Sequence, residues 1–291
     1  MEKAKVYFTK EITERSLIKI YEKLNTELKG NVAVKISTGE LGGHNYLNPN
    51  LIKGLVQKLN GTIVECNTAY EGKRNTTEEH LKVAEAHGFT KIAKVDIMDS
   101  EGDIEIPVNG GKHLKINYVG KNIANYDSML VLSHFKGHQM GGFGGALKNM
   151  SIGIASSRGK AWIHSAGTSF TDYWHTEQEK FIESMAEADK SVVDYFDKNI
   201  LYVNVMNNLS IDCDCNSNPE EPCMHDIGIL SSNDPVALDN ACLDLIYNSN
   251  DLGKDRMLER IEKMKGPHIL EYSEKLKIGT KEYELISIDN D

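Results

Sequence analysis

The chain has 291 residues, 40% of them hydrophobic, which is enough to bury a sizeable core as one large α/β unit or two smaller lobes. With 43 acidic against 33 basic residues, its net charge of −10 repels phosphate backbones and anionic bilayers and argues against general nucleic-acid or membrane-surface binding. No stretch approaches the roughly 18 apolar residues that cross a bilayer. The N-terminal MEKAKVYFTKEITERS lacks the apolar core of a secretory signal, so a cytoplasmic protein with reduced thiols is expected.

Short β-rich runs alternate with helical segments along the chain. The pattern begins with a strand at Lys5–Thr9 and a helix at Glu14–Leu28, where Thr13 and Ser16 are available as caps. A strand at Val32–Ser37, a helix at Asn50–Leu59 with Pro49 at its mouth, and a strand at Thr62–Cys66 form the clearest βαβ unit. Next come a helix at Thr77–His87 and strands at Lys91–Val95, Ile104–Pro107, Leu114–Tyr118 and Ser128–Ser133. The second half predicts a helix at Glu177–Asp194, strands at Leu201–Met206 and Ile227–Leu230, and helices at Pro235–Tyr247 and Lys254–Lys263. A last strand covers Glu282–Ile288.

This alternation predicts a layered α/β fold, with a mixed or parallel sheet and flanking helices. The polar stretch near residues 120–127 divides the chain into an N-terminal α/β lobe, 1–125, and a glycine-loop and cysteine-bearing lobe, 126–291. The alternative is a single unit.

Three of the five cysteines lie within eleven residues: Cys213, Cys215 and Cys223, among Asp, Asn, Glu and Pro. Buried structural cysteines sit on apolar elements, whereas thiolates in a polar loop bind soft metals and iron–sulfur clusters. Two readings fit the residue types. One is tetrahedral zinc on Cys213, Cys215, Cys223 and His225, against which the C-x-C spacing is tight. The other is a [4Fe–4S] cluster held by three cysteines, with one iron open or bound by a different ligand. Cys66 and Cys242 fall on apolar elements and read as core.

The run from Ser133 to Asn149 follows an apolar strand, where ligands of α/β sheets usually bind. His134, Lys136, His138 and Lys148 give it local positive charge, and Gly144 and Gly145 allow close backbone approach. With Asn149, these residues suit a small anionic molecule, and His134, His138 and His164 suit proton transfer. The glycine spacing matches neither a phosphate-binding nor a dinucleotide loop. Thr38 and Asn67 follow two other strands. If those strands are parallel neighbours of the apolar one, all three loops open on one edge of the sheet.

Asn67-Thr68-Ala69-Tyr70, Lys73-Arg74-Asn75-Thr76, the His134–Gly153 run, the cysteine loop, Asp226-Ile227-Gly228-Ile229 and Asp234-Pro235-Val236-Ala237-Leu238-Asp239 together resemble domain-of-unknown-function family 362. Members of that family are described as iron–sulfur-binding proteins. The resemblance runs from about Lys35 to Leu245 and implies a cluster rather than zinc at Cys213, Cys215 and Cys223. The fold is also similar to nickel-dependent lactate racemase-like proteins. The expectation is an enzyme with one site-differentiated [4Fe–4S] cluster beside a His/Lys/Gly-rich pocket. It leaves open a lyase, sulfur-transfer or redox reaction, the last with a redox partner. The alternatives are a non-catalytic electron or cluster carrier and a structural zinc protein.

Overall fold

The computed structural model describes residues 3–289. Its framework is an eight-stranded sheet built from β1 (Ala4–Thr9), β2 (Val32–Lys35), β3 (Thr62–Glu65), β4 (Val95–Ile97), β7 (Ser128–His134), β10 (Ile200–Met206), β11 (Gly228–Ser232) and β12 (Tyr283–Ser287). The order across the sheet is β12-β1-β11-β10-β7-β2-β3-β4. Only β11 runs antiparallel to its neighbours, so the sheet is mostly parallel, as the alternating pattern predicts. Two hairpins lie outside it: β5 (Asp103–Pro107) with β6 (Ile116–Gly120), and β8 (Lys136–His138) with β9 (Gly142–Gly144).

The side-chain period of two sends successive residues of a central strand to opposite faces. In β7, Leu130 and Leu132 meet one apolar layer and Met129 and Val131 the other. The first layer is closed by α1 (Glu14–Glu22), α2 (Pro49–Lys58) and α3 (Thr77–Ala86), through Leu17, Leu55 and Ala84. The second takes α4 (Ala146–Ile154), α5 (Ser157–His164), α6 (Gln178–Tyr195), α7 (Pro235–Tyr247), α8 (Lys254–Lys263) and α9 (His268–Lys275). The sheet runs across residue 125: β2 from before that point lies beside β7 from after it. Among the described residues no helix is long and apolar enough to cross a membrane.

Three element expectations are corrected. The first helix stops at Glu22, and Asn25 takes a left-handed conformation at φ 49°. Lys91–Val95 is not a strand: Phe89–Lys91 forms a single 3₁₀ turn after left-handed Gly88, and the strand begins at Val95. The run from Ala146 to His164, with no element predicted, is helical in α4 and α5.

What positions the site is the pattern of connections. From β2 the chain crosses through α2 to β3 on one side, and from β7 it travels through α4–α6 to β10 on the other. Ligands of open α/β sheets bind at such a switch point, outside the carboxyl ends of the strands. Those ends here are Lys35, Glu65 and His134, so the three loops do open on one edge.

Candidate functional site

A cavity of about 160 Å³ sits at this switch point. Five cationic side chains line it, Lys35, Arg74, Lys136, Lys148 and Lys160, against two carboxylates, Glu65 and Asp214. The acidic chain thus carries a locally basic pocket.

A buried ion network floors it. Glu65, ending β3, accepts from Thr38 Oγ1 (2.5 Å) and His80 Nε2 (2.7 Å), and lies 3.7 Å from Arg74 and 3.8 Å from Lys35. Burial alone would raise the Glu65 pKa, but the His80 bond and the Lys35 charge hold the carboxyl well below the usual range. Lys35 also donates to Asn149 Oδ1 (2.9 Å) and to the Ile36 carbonyl, and burial lowers its pKa to about 8. Gly153 makes room for it, since a Cβ there would sit 2.5 Å from Lys35 Cε.

Asn149 ties the sheet to α4: its amide donates to Lys35 O, Leu132 O and Ser133 Oγ at 3.0–3.3 Å. The N-terminus of α4 is held from a distance. Asp239 of α7 accepts from Ala146 N (2.8 Å) and Leu147 N (3.0 Å), and a Cβ on Gly145 would strike the same carboxylate at 2.4 Å. Lys148 follows in the first turn and faces the cavity.

The three histidines differ in what they offer. His134 is spent, with Nδ1 on Asp214 (2.8 Å) and Nε2 on Asn207 O (2.6 Å). His138 Nδ1 accepts from the amides of Met140 (3.1 Å) and Gly141 (2.9 Å), so the neutral ring carries its proton on Nε2. His164 Nδ1 donates to Lys160 O (2.6 Å), which leaves Nε2 with a lone pair. Burial, with the charge of Lys148, pushes His138 well below its ordinary pKa. Burial takes His164 to about 4, against the pull of the Lys160 carbonyl. Both rings are therefore neutral at physiological pH, one a donor and the other an acceptor.

Cys213 and Cys215 also line the cavity, their sulfurs joined in the structure. Asp214 between them accepts from Lys136 (2.7 Å) and His134; burial would raise its pKa, but the Lys136 charge and these two bonds hold the carboxyl well below the usual range. The sulfurs and a ring nitrogen of His138 lie within 4.8 Å of one another, a group that could hold a metal ion. Once the bond between the sulfurs is reduced, the two cysteines are the natural lone-pair donors of the group, because Nδ1 of His138 is occupied by amides and Nε2 by a proton. Cys223 lies apart: half-buried, it donates to Leu209 O (3.3 Å) and lines no part of the cavity. The exposed His225 is bonded to Asp251.

Of the other expected residues, Gly144 and Gly145 line the pocket, while Thr38 and Asn67 lie beneath it, Asn67 bonded to Thr77 (3.0 Å). Sequence reasoning passed over Glu65 and Asp214, which read as a strand end and loop filler. For Asp214 the available signal was its place between Cys213 and Cys215; for Glu65 it was a carboxylate ending an apolar strand beside Cys66. It also passed over the aromatic strap: Tyr173 donates to Ala69 O (2.9 Å) across the mouth, and Trp174, 64% exposed, sits beside it.

No curated protein matches this chain. Among solved structures it is similar to the lactate racemase apoprotein from Thermoanaerobacterium thermosaccharolyticum, at 15% identity and TM-score 0.41, covering 69% of this chain and 50% of that one. It is also similar to a structural-genomics protein from Thermotoga maritima, at 14% identity and TM-score 0.45, covering 92% of this chain and 59% of that one. The chain thus spans between half and three-fifths of the length of these two structures. Residues 32–244 match the profile of the family described as Domain of unknown function (DUF362), and the chain belongs to that family.

Proposed function

We propose that this protein is an enzyme acting on a small anionic molecule in the switch-point cavity, beside a metal centre held by Cys213 and Cys215. The observation that carries this reading is the gathering of five cations, two neutral histidines and two sulfurs around one small cavity in an otherwise acidic chain. Lys160 and Lys136 answer the charge of the bound molecule, and among the described residues no carboxylate pairs with Lys160, whose Nζ donates to the Ala155 carbonyl. His164 Nε2 takes a proton from the substrate and His138 Nε2–H supplies one. Tyr173 and Trp174 cover the mouth and limit water. When bound, a thiolate-held metal supplies Lewis-acid polarisation of a substrate oxygen.

A three-cysteine [4Fe–4S] cluster is a second reading. It is favoured by Cys223, whose N donates to Leu209 O within the same loop. It requires that loop to bring a third sulfur to the pair.

Anaerobic purification with metal analysis and visible spectroscopy tests the centre. Stoichiometric metal, lost in Cys213→Ser and Cys215→Ser, is expected; a brown colour lost also in Cys223→Ser identifies the cluster. A metal-free wild type sinks the centre. Thermal stabilisation by small carboxylates or phosphate, lost in Lys160→Ala, tests the anion pocket, and no stabilisation by any of them sinks it.

A further inference from the structure

Four of the five cations in the pocket are held by oxygens. Lys35 bonds Asn149, Arg74 bonds Glu40 and Tyr70, Lys136 bonds Asp214, and Lys160 Nζ donates to Ala155 O (2.6 Å). Lys148 differs. Among the described residues its Nζ has no carboxylate, carbonyl or hydroxyl partner, although the side chain is half-buried and faces the cavity. An ammonium so placed is costly, and a polar group without a partner at a ligand cavity calls for a functional account.

The surroundings favour the neutral amine. Burial and then the charge of Lys136 lower the Lys148 pKa to about 7, with Lys35 and Arg74 adding to the effect and Asp214 opposing it. At pH 7 roughly half of such an amine is free base, against about one part in a few thousand for an ordinary lysine. The helix that carries it is fixed by Asp239 on its first two amides, so the amine is presented from a rigid element.

We propose that Lys148 is a nucleophile that forms an imine with the carbonyl of a small 2-oxo carboxylate held in this pocket. The proposal rests on the anion-pocket reading above and gives the substrate class and the bond made. Lys160 and Lys136 face the carboxylate, while the lone pair of Lys148 Nζ attacks the adjacent carbonyl carbon. The C=O π pair moves to oxygen, which is protonated by His138 Nε2–H, and an N–H proton passes to His164 Nε2. The nitrogen lone pair then expels the hydroxyl, which leaves as water with the proton held by His164. His138 regains a proton from solvent, so the sum is amine, ketone and one proton giving iminium and water. Nothing is oxidised or reduced. A cavity of about 160 Å³ restricts the partner to a small member of the class.

Reductive trapping tests this on the protein as isolated. With pyruvate and sodium cyanoborohydride, peptide mass mapping should find one adduct per chain, on Lys148, exceeding any surface lysine by at least about tenfold. Lys148→Arg keeps the charge and should abolish the adduct. Labelling spread over surface lysines, or undiminished in Lys148→Arg, overturns the proposal. Pyruvate without reductant is run in parallel as a thermal shift. Stabilisation without labelling of Lys148 overturns the imine and leaves the anion pocket standing, whereas neither stabilisation nor labelling overturns both.

Discussion

At Lys148 the folded chain holds the amine near pKa 7, while unfolding returns it to the ordinary 10.5. Between those values the unfolded chain binds a proton that the folded chain does not, so stability rises with pH there. The penalty is complete below about pH 7 and gone above about pH 10.5. Lys148→Met should therefore raise the melting temperature of the ligand-free protein at pH 7, by an amount equivalent to roughly 1–3 kcal/mol after allowance for solvent screening at a half-buried site. The advantage should shrink steadily towards pH 10. Lys35 has the same tendency but is common to both proteins, so the difference between the two melting curves isolates Lys148. An advantage that stays constant with pH would assign the gain to packing. The lysines and histidines of this pocket were legible as residue types near a strand end. Their division of labour was not, because the ring proton of His138 is set by amides of its own hairpin and that of His164 by Lys160 O.

At the scale of elements, α4 shows where local reading stops. Its N-cap position is Gly145, with no side-chain cap, and two glycines precede its apolar run. Local signals therefore favour a loop. The donors at its first turn are satisfied by Asp239, 93 positions along in the chain. Burial raises that carboxyl to about pKa 6, although the Leu147 amide and the Asn204 side chain draw it down. Asp239→Ala leaves two buried amides without acceptors and should cost about 2–5 kcal/mol, read as a lower urea midpoint. Because α4 carries Lys148 and Asn149, the variant should also lose stabilisation by small carboxylates. Asp239→Asn keeps one acceptor and should fall between the two. By contrast α7 was legible from residue 235 on, because Asp234 caps it locally on Val236 and Ala237 with Pro235 at the first turn.

Across the whole molecule, the parallel run β10-β7-β2-β3-β4 follows from the βαβ alternation, and with it the edge on which the site forms. The single reversal at β11 did not, since no local pattern distinguishes a buried antiparallel strand from a buried parallel one. That topology predicts a gradient of stability. Every residue of β7 and β10 is buried, with a bonded strand on each side and an apolar layer on both faces. In contrast β12 is an edge strand with no buried residue, bonded among the described strands to β1 alone. Opening β12 breaks few apolar contacts, whereas opening β7 separates the two halves of the sheet and both layers with it. Native-state hydrogen exchange should therefore show β7 and β10 amides exchanging only through global unfolding, and β12 amides through local opening at much lower free energy. The carboxyl ends of β2 and β7 form the walls of the cavity, so a bound carboxylate should slow exchange at 133–138 and 146–149 and leave β12 unchanged. Protection spread evenly over all eight strands would mean that the ligand acts on the sheet as a whole and not at the switch point.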